Sequence, residues 1–316
     1  MNDIITIGES MITFNPDSKG PMKFVNAFEK KVGGAELNVA IGCARLGLRA
    51  GWISRLGNDE FGKYIQNFAR GEGIDVSKVG LVDGYPTSLN FKEIMEDGNV
   101  RTFYYRDKSP TLTMTPDDLD ENYFKQAKIL HLTGIFPAIN SKNIPIVERA
   151  IALAEMHGLK ISFDPNIRLR MWSKKEAKEV LSSILPHVDI LLAGDEEMDI
   201  IIGESEPNAI IEKAKELGIS YVAIKQGDKG SVGYHNGDFV ESPPIKASKV
   251  VDTVGAGDGF NAGILYGILQ NWSLKKTLHF ANTIGSMVVG VAGDNEGLPD
   301  YEDVQGKLGE IERIER

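Results

Sequence analysis

The chain has 316 residues, 42% of them hydrophobic and 25% charged, with 35 Lys plus Arg against 45 Asp plus Glu for a formal net charge of −10. That composition is globular, long enough for one large α/β core, and too acidic to favour nucleic acid or an anionic membrane surface as a partner. The lone cysteine, Cys43, excludes an intrachain disulfide, the five histidines lack zinc-site spacing, and neither an export leader nor a run of about 20 apolar residues is seen, so a cytoplasmic location is expected.

Taken in chain order, short apolar runs that end at turn residues read as buried strands at 4–7, 51–54, 129–132, 160–163, 189–192 and 221–224. Residues 144–157, 174–185, 207–217 and 274–291 carry apolar side chains at three- and four-residue spacing and read as helices, with Gly158 and Gly218 where helix C-caps belong. Strand and helix in alternation imply a mostly parallel sheet covered on both faces. Residues 87–93 and 100–106 break this rhythm by alternating polar and apolar around Asp97-Gly98, which predicts a hairpin with a type I′ turn. With an extended segment over 22–28, the hairpin would form a small sheet projecting from the core, a cover for a site or a surface for a second subunit. The whole chain, 1–316, reads as a single domain whose lid comes from excursions near 10–30 and 86–108, and the charged tail 309–316 reads as a solvated helix end.

Chemistry concentrates at Asp252-Thr253-Val254-Gly255-Ala256-Gly257-Asp258-Gly259, ahead of an almost wholly apolar helix over 260–269. Gly255, Ala256 and Gly257 have little or no side chain, so their N–H groups can converge at a helix N-terminus, where aligned peptide dipoles add about half a positive charge. Such a turn holds an anion. Asp258 stands where a Walker-type lysine would be, which supplies a proton acceptor instead of a phosphate clamp; taken alone, it would serve equally as a helix N-cap. A second glycine pair, Gly33-Gly34, opens an amphipathic helix through Ala35-Glu36-Leu37-Asn38-Val39-Ala40 and leaves Asn38 able to meet a polar ligand.

Together these segments resemble the signatures of the ribokinase-like, or PfkB, carbohydrate kinases: an early G-G-x-x-x-N-x-A and a late D-T-x-G-A-G-D. The resemblance spans nearly the whole chain. It implies an α/β fold, a ribokinase-like three-layer sandwich with a mostly parallel central sheet and a small β-sheet lid, and an ATP- and Mg²⁺-dependent sugar kinase. By that resemblance Asp258 is the catalytic base, the amides of Gly255, Ala256, Gly257 and Asp258 form an anion hole, and Gly33, Gly34 and Asn38 line the sugar site. Lys225-Gln226-Gly227-Asp228-Lys229-Gly230 resembles the family's K-x-G-x-x-G turn near the ATP phosphates and ribose, and Asn282 and Gly285 would border the adenine. Gly194-Asp195-Glu196-Glu197 falls where the family has N-x-x-E; Gly194 replaces the asparagine, while Glu197 keeps the acidic role of organising magnesium through water. A monovalent cation behind the anion hole belongs to the same resemblance, and an exposed aromatic lid strand would suit a dimer or higher homo-oligomer.

Substrate choice should rest on Phe163-Asp164-Pro165-Asn166-Ile167-Arg168, at a strand end where ligands of such sheets gather, and on Phe103-Tyr104-Tyr105-Arg106 of the returning hairpin strand. Arginines and aromatic faces are tools for gripping a carboxylate and stacking on a sugar chain. The pattern resembles the 2-keto-3-deoxygluconate kinases of that family, in which Tyr105, Arg106 and Arg168 would hold the acid end, Asn166 would face the sugar, and Asp294 would bind another hydroxyl. Two alternatives stay open: a fructokinase or other neutral-sugar kinase, and a sugar-sensing or scaffold protein without catalysis. A dinucleotide-dependent oxidoreductase is disfavoured, because Gly8-Glu9-Ser10 follows the first strand instead of G-x-G-x-x-G.

Overall fold

Period-two burial sorts the apolar runs onto the two faces of one large sheet. The computed structural model describes residues 1–310. In chain order its strands are β1 (Ile4–Ile7), β2 (Met11–Pro16), β3 (Phe28–Gly33), β4 (Ala50–Gly57), β5 (Asp75–Val82), β6 (Leu89–Ile94), β7 (Val100–Tyr105), β8 (Ile129–Thr133), β9 (Lys160–Asp164), β10 (Ile190–Gly194), β11 (Tyr221–Lys225), β12 (Ser231–His235) and β13 (Asp238–Ser242). The α-helices are α1 (Ala35–Arg45), α2 (Glu60–Gly71), α3 (Glu121–Phe124), α4 (Ile135–Ile139), α5 (Ile144–His157), α6 (Lys174–Ile184), α7 (Asp195–Ile202), α8 (Pro207–Glu216), α9 (Ala256–Leu269), α10 (Leu274–Val288) and α11 (Tyr301–Leu308).

The central sheet has the order β13-β12-β11-β10-β9-β8-β1-β4-β5. It is parallel from β11 to β5 and closes on one side with antiparallel β12 and β13. Leu192 of β10 turns to one face with Ile4, Trp52 and Ala223, where α1, α9 and α10 cover it. Leu191 and Ala193 turn to the other face with Ile5, Phe163 and Val222, beneath α5, α6 and α8. Strands buried on both sides in this way need apolar residues at every position, which is why the runs do not alternate. Even His131 of β8 is absorbed: its Nδ1 lies 3.0 Å from Ser162 Oγ, and burial depresses it to about 4, so it sits neutral in the core. Among the described residues no helix is long and apolar enough to cross a membrane.

The second sheet, β3-β2-β6-β7, is built from two excursions that pair in parallel where Ile12 faces Leu89. Its details correct several expectations. Residues 22–28 are not extended: Pro21 leads into a single 3-10 turn at Met22–Phe24, and the strand starts only at Phe28. The hairpin turn is not type I′, because only Gly98 has positive φ; Gly98 N bonds Met95 O at 2.9 Å and Met95 N bonds Asn99 O at 2.9 Å, a three-residue loop ending in a left-handed glycine. Elsewhere α6 stops at Ile184 because Pro186 follows, α10 stops at Val288, and α11 ends at Leu308 before left-handed Gly309. Of the tail expected as a solvated helix end, residues 311–316 lie outside the described residues.

Asp59 anchors the lid to the core. It caps α2 by accepting from Gly62 N at 2.8 Å, and it accepts from Thr87 N at 2.8 Å and Thr87 Oγ1 at 2.7 Å, just ahead of β6. Partial burial opposes its ionisation, but these bonds prevail and hold its carboxyl below the usual aspartate range. Such bonds stabilise fully above the unfolded pKa and fade as pH falls through the depressed folded value. Asp59→Ala is therefore expected to lower the unfolding free energy by about 2 kcal/mol at pH 7, with the gap to wild type narrowing in acid, both read from urea titrations.

Candidate active site

A cavity of ≈ 410 Å³ opens between the lid and the C-terminal ends of the central strands, lined among others by Glu9 after β1, Asp164 of β9 and Lys225 of β11. That is where open parallel sheets collect ligands. The start of α9 forms one wall. Asp252 Oδ1 accepts from Val254 N at 3.1 Å and sets the approach; Gly255 then turns with φ 78°, where a Cβ would strike the main-chain carbonyl of Asp294. Only glycine can take that step. Gly255, Gly257 and Asp258 all line the cavity, with the first-turn amides of α9 lacking helical acceptors. Ala256 is the first helical residue behind them.

Asp258 is 8% exposed, and its Oδ2 accepts from Asn38 Nδ2 at 2.8 Å. Burial, with the Asp164 charge beside it, pushes its carboxyl up to about 7, against the opposing pull of the Asn38 bond, Lys225 and Arg168. A carboxylate poised near neutrality suits proton abstraction. Asp164 Oδ2 accepts from Lys225 Nζ at 2.7 Å and from Asn261 Nδ2 at 2.6 Å. The Lys225 ammonium also lies beside the first turn of α9, 3.8 Å from where a Cβ on Gly257 would stand. Burial works against its charge, yet Asp164 and Glu197 raise its pKa, so it stays a cation. Glu197 is fixed by two main-chain amides, Ile167 N to Oε1 at 2.9 Å and Gly194 N to Oε2 at 2.8 Å; burial, then Asp164, pushes its pKa up.

The profile of the pfkB family of carbohydrate kinases matches residues 1–301. This chain belongs to the pfkB family. It is 37% identical over 311 residues to the 2-dehydro-3-deoxygluconokinase of Bacillus subtilis (strain 168), covering 97% of this chain and 95% of that protein. It is 30% identical over 315 residues to the 5-dehydro-2-deoxygluconokinase of Shouchella clausii, covering 98% and 96%. The crystal structure of a PfkB protein from Polaromonas sp. JS666 is similar with a TM-score of 0.89 at 32% identity, covering 96% of this chain and 99% of that one. PfkB kinases use ATP with Mg²⁺.

In this pfkB kinase the cavity gathers Gly33, Gly34, Asn38, Arg106, Asn166, Arg168, Asp294, Glu197 and Lys225 around Asp258. Asn166 holds a left-handed φ of 41°, its N bonded to Asp164 Oδ1 at 3.1 Å. Tyr105 departs from expectation. It is 61% exposed and packs edge-on to Phe91 on the outer face of the lid, whereas Thr102, Tyr104 and Arg106 face the cavity. Alternation along β7 puts one of two adjacent tyrosines inside, and pairing of Tyr104 with inward Asn90 settles which. Gly227 and Gly230 shape the turn between β11 and β12, outside the cavity lining. Asn282 is spent on structure: its Nδ2 bonds Ser242 O, Ser242 Oγ and Pro243 O at 3.2, 3.1 and 3.2 Å, fixing the end of β13. Gly285 packs near Ala256 O, behind the cavity wall.

Sequence reasoning missed the buried partners: Glu9, whose carboxylate takes Arg106 and Ser88 Oγ; Glu36, wholly buried with Thr133 Oγ1 at 2.5 Å; and Lys92, 3.2 Å from Asp294. The signal available for Lys92 was the lid alternation itself, since Asn90 and Lys92 share a face. Catalysis through an ionised Asp258 is expected to fall as pH drops below about 7. Asn38→Ala removes a bond that favours the ionised form, so the acid limb of a pH–rate profile should move up by about one unit.

Proposed function

We propose that this kinase transfers the γ-phosphoryl group of ATP to the terminal hydroxyl of 2-keto-3-deoxygluconate, giving 2-keto-3-deoxy-6-phosphogluconate. The observation that carries the reading is one cavity that joins a buried, neutral-range Asp258 at the N-terminus of α9 with arginines on two other walls, Arg106 from the lid and Arg168 after β9. A base and an anion hole suit phosphoryl transfer; the arginines suit an acid substrate. Relatives named for two gluconate-derived acids support that class.

Asp258 takes the proton of the attacking hydroxyl as its oxygen bonds to the γ-phosphorus and the bridging oxygen leaves with ADP. Charge spreading over the phosphoryl oxygens meets the first-turn amides of α9 and the Lys225 ammonium, fixed in advance by Asp164. Glu197 and Asp164 would suit magnesium, since both are carboxylates on the cavity wall, Asp164 buried and Glu197 part-buried, and the ion prefers to keep its waters and bind mainly to phosphate. When bound, the ion neutralises the β- and γ-phosphate charge. Tyr104 takes the stacking role first expected of Tyr105, and Asp294 offers a carboxylate to a sugar hydroxyl. A cytoplasmic enzyme, a monovalent cation behind the α9 turn and a homo-oligomer paired through the exposed aromatics of the lid complete the reading.

ADP release from 2-keto-3-deoxygluconate, its galacto epimer, fructose and ribose tests it: the keto acids should turn over at least tenfold faster than the neutral sugars, and equal rates with fructose would turn the assignment to a neutral-sugar kinase. Asp258→Asn should cut turnover about a hundredfold or more, the scale of general-base catalysis. Arg168→Ala is the cleaner probe of acid recognition, because among the described residues the exposed Arg168 side chain bonds only the Ile167 carbonyl, at 3.2 Å, whereas loss of Arg106 would strand the buried Glu9 carboxylate. It should raise KM for the keto acid about tenfold, the weight of one charge-assisted contact, with KM for ATP unchanged.

A further inference from the structure

The segment 292–296, between α10 and α11, is held from three sides. From the lid, Lys31 Nζ donates to Ala292 O at 2.9 Å, and Lys92 Nζ donates to Asp294 Oδ1 at 3.2 Å while standing 3.8 Å from Asp252 Oδ2. From α1, Arg45 Nη1 donates to Asn295 O at 2.9 Å. Asn295 Nδ2 in turn donates to Val32 O at 2.7 Å and lies 3.4 Å from Oδ1 of Asn38, the residue whose amide holds Asp258. The third side is the turn before α9: the Asp294 carbonyl fills the space that a Gly255 side chain would need, and the Asp294 carboxylate does the same at Gly33. One short segment thus touches the lid, the Asn38–Asp258 pair and the α9 turn.

We propose that Lys92 is a positioning residue that couples the lid to the transfer site: its ion pair with Asp294 holds segment 292–296, and through it the Gly255 turn and the Asn38–Asp258 pair, in the arrangement that phosphoryl transfer needs. The inference rests on the reading of Asp258 and the α9 turn as that site. Lys92 is 7% exposed, and its ammonium is the cation between two carboxylates of the segments it joins, Asp252 and Asp294. Taking it away leaves the part-buried carboxylates of Asp252 and Asp294 without the cation between them, and like charges so placed tend to move apart. Burial already pushes the Asp294 carboxyl up, with Lys92 as the leading influence in the other direction. Where β6 lies over the α9 turn, the link from lid to core is therefore electrostatic, beside the neutral hydrogen bonds that β3 makes to the same segment.

Lys92→Met keeps the length of the side chain and deletes the charge. It is expected to lower kcat for sugar phosphorylation about tenfold, within the range of coupling energies carried by such networks, while KM for ATP stays within twofold. Lys92→Arg should restore kcat to within threefold of wild type. Amide hydrogen exchange over 253–258 should be faster in the Met form than in the Arg form. The inference is overturned if the Met form keeps kcat within threefold, or if the Arg form is as impaired as the Met form, which would mean that shape and not charge is needed. Lys92→Gln serves as the neutral variant should the Met form fail to fold. Asp258→Asn in the same assay separates the two readings: an active Asp258→Asn sinks the transfer site itself, whereas an inactive one beside a fully active Lys92→Met removes only the role of Lys92.

Discussion

Asp258 gives up its water and receives in return one side-chain hydrogen bond, from Asn38, and the field at the start of α9. An isolated carboxylate in so apolar a helix, followed by Phe260, Ala262, Ile264 and Leu265, would take up a proton and stay neutral. Here burial outweighs the Asn38 bond and the Lys225 and Arg168 charges without cancelling them, leaving the group near pH 7, where it can hold or release a proton at little cost. The rest of the cavity is arranged around that balance. Asn38 must reach from α1, so Gly33-Gly34 must bring the lid strand β3 directly into that helix, and Gly255 must admit the Asp294 carbonyl for α9 to start where it does.

The second consequence concerns charge. A protein with a net charge of −10 repels nucleotides and sugar acids at long range, so its cations have to be concentrated where the anions bind. Three of them are held in advance on carboxylates: Lys225 on buried Asp164, Arg106 on buried Glu9 and Lys92 on part-buried Asp294. Pairs like these contribute little net stability once desolvation is counted. Their value is preorganisation: Lys225 and Arg106 are aimed into the cavity in advance, and Lys92 is fixed on the segment that it holds. Arg168, exposed after β9 and bonded to the Ile167 carbonyl, differs from these three in having no carboxylate partner among the described residues.

Legibility in the sequence followed how far each signal was local. Strands β1, β8, β9, β10 and β11 declare themselves because burial on both faces demands unbroken apolar runs. The α9 turn declares itself because glycine at a strained position has no substitute. Edge strands β5 and β13 are half exposed, so their composition, as in Asp75-Val76-Ser77-Lys78, gives no run to find. Tyr104 and Tyr105 could not be told apart without the phase that pairing with β6 imposes. Glu9, Glu36 and Lys92 draw their meaning from residues about a hundred or more positions away, and the bonds of Asn282 to Ser242 and Pro243 join positions that are close only in the fold.

Glu36 shows why the titration near neutrality should be assigned to a group of residues. It is wholly buried against Gly8, with Oε1 on Thr133 and no partner for Oε2 among the described residues, and burial pushes it up to about 7, with the charges of Asp258 and Glu9 adding to the rise. Two carboxyls that titrate in the same range and repel each other release their protons in steps that belong to the pair. Ionising Glu36 makes Asp258 harder to ionise, and a proton held on Glu36 eases the ionisation of Asp258. Arg106 enters the same balance from the lid, because its guanidinium pairs with Glu9 and so sets a cation against a third carboxylate on the cavity wall before any substrate enters.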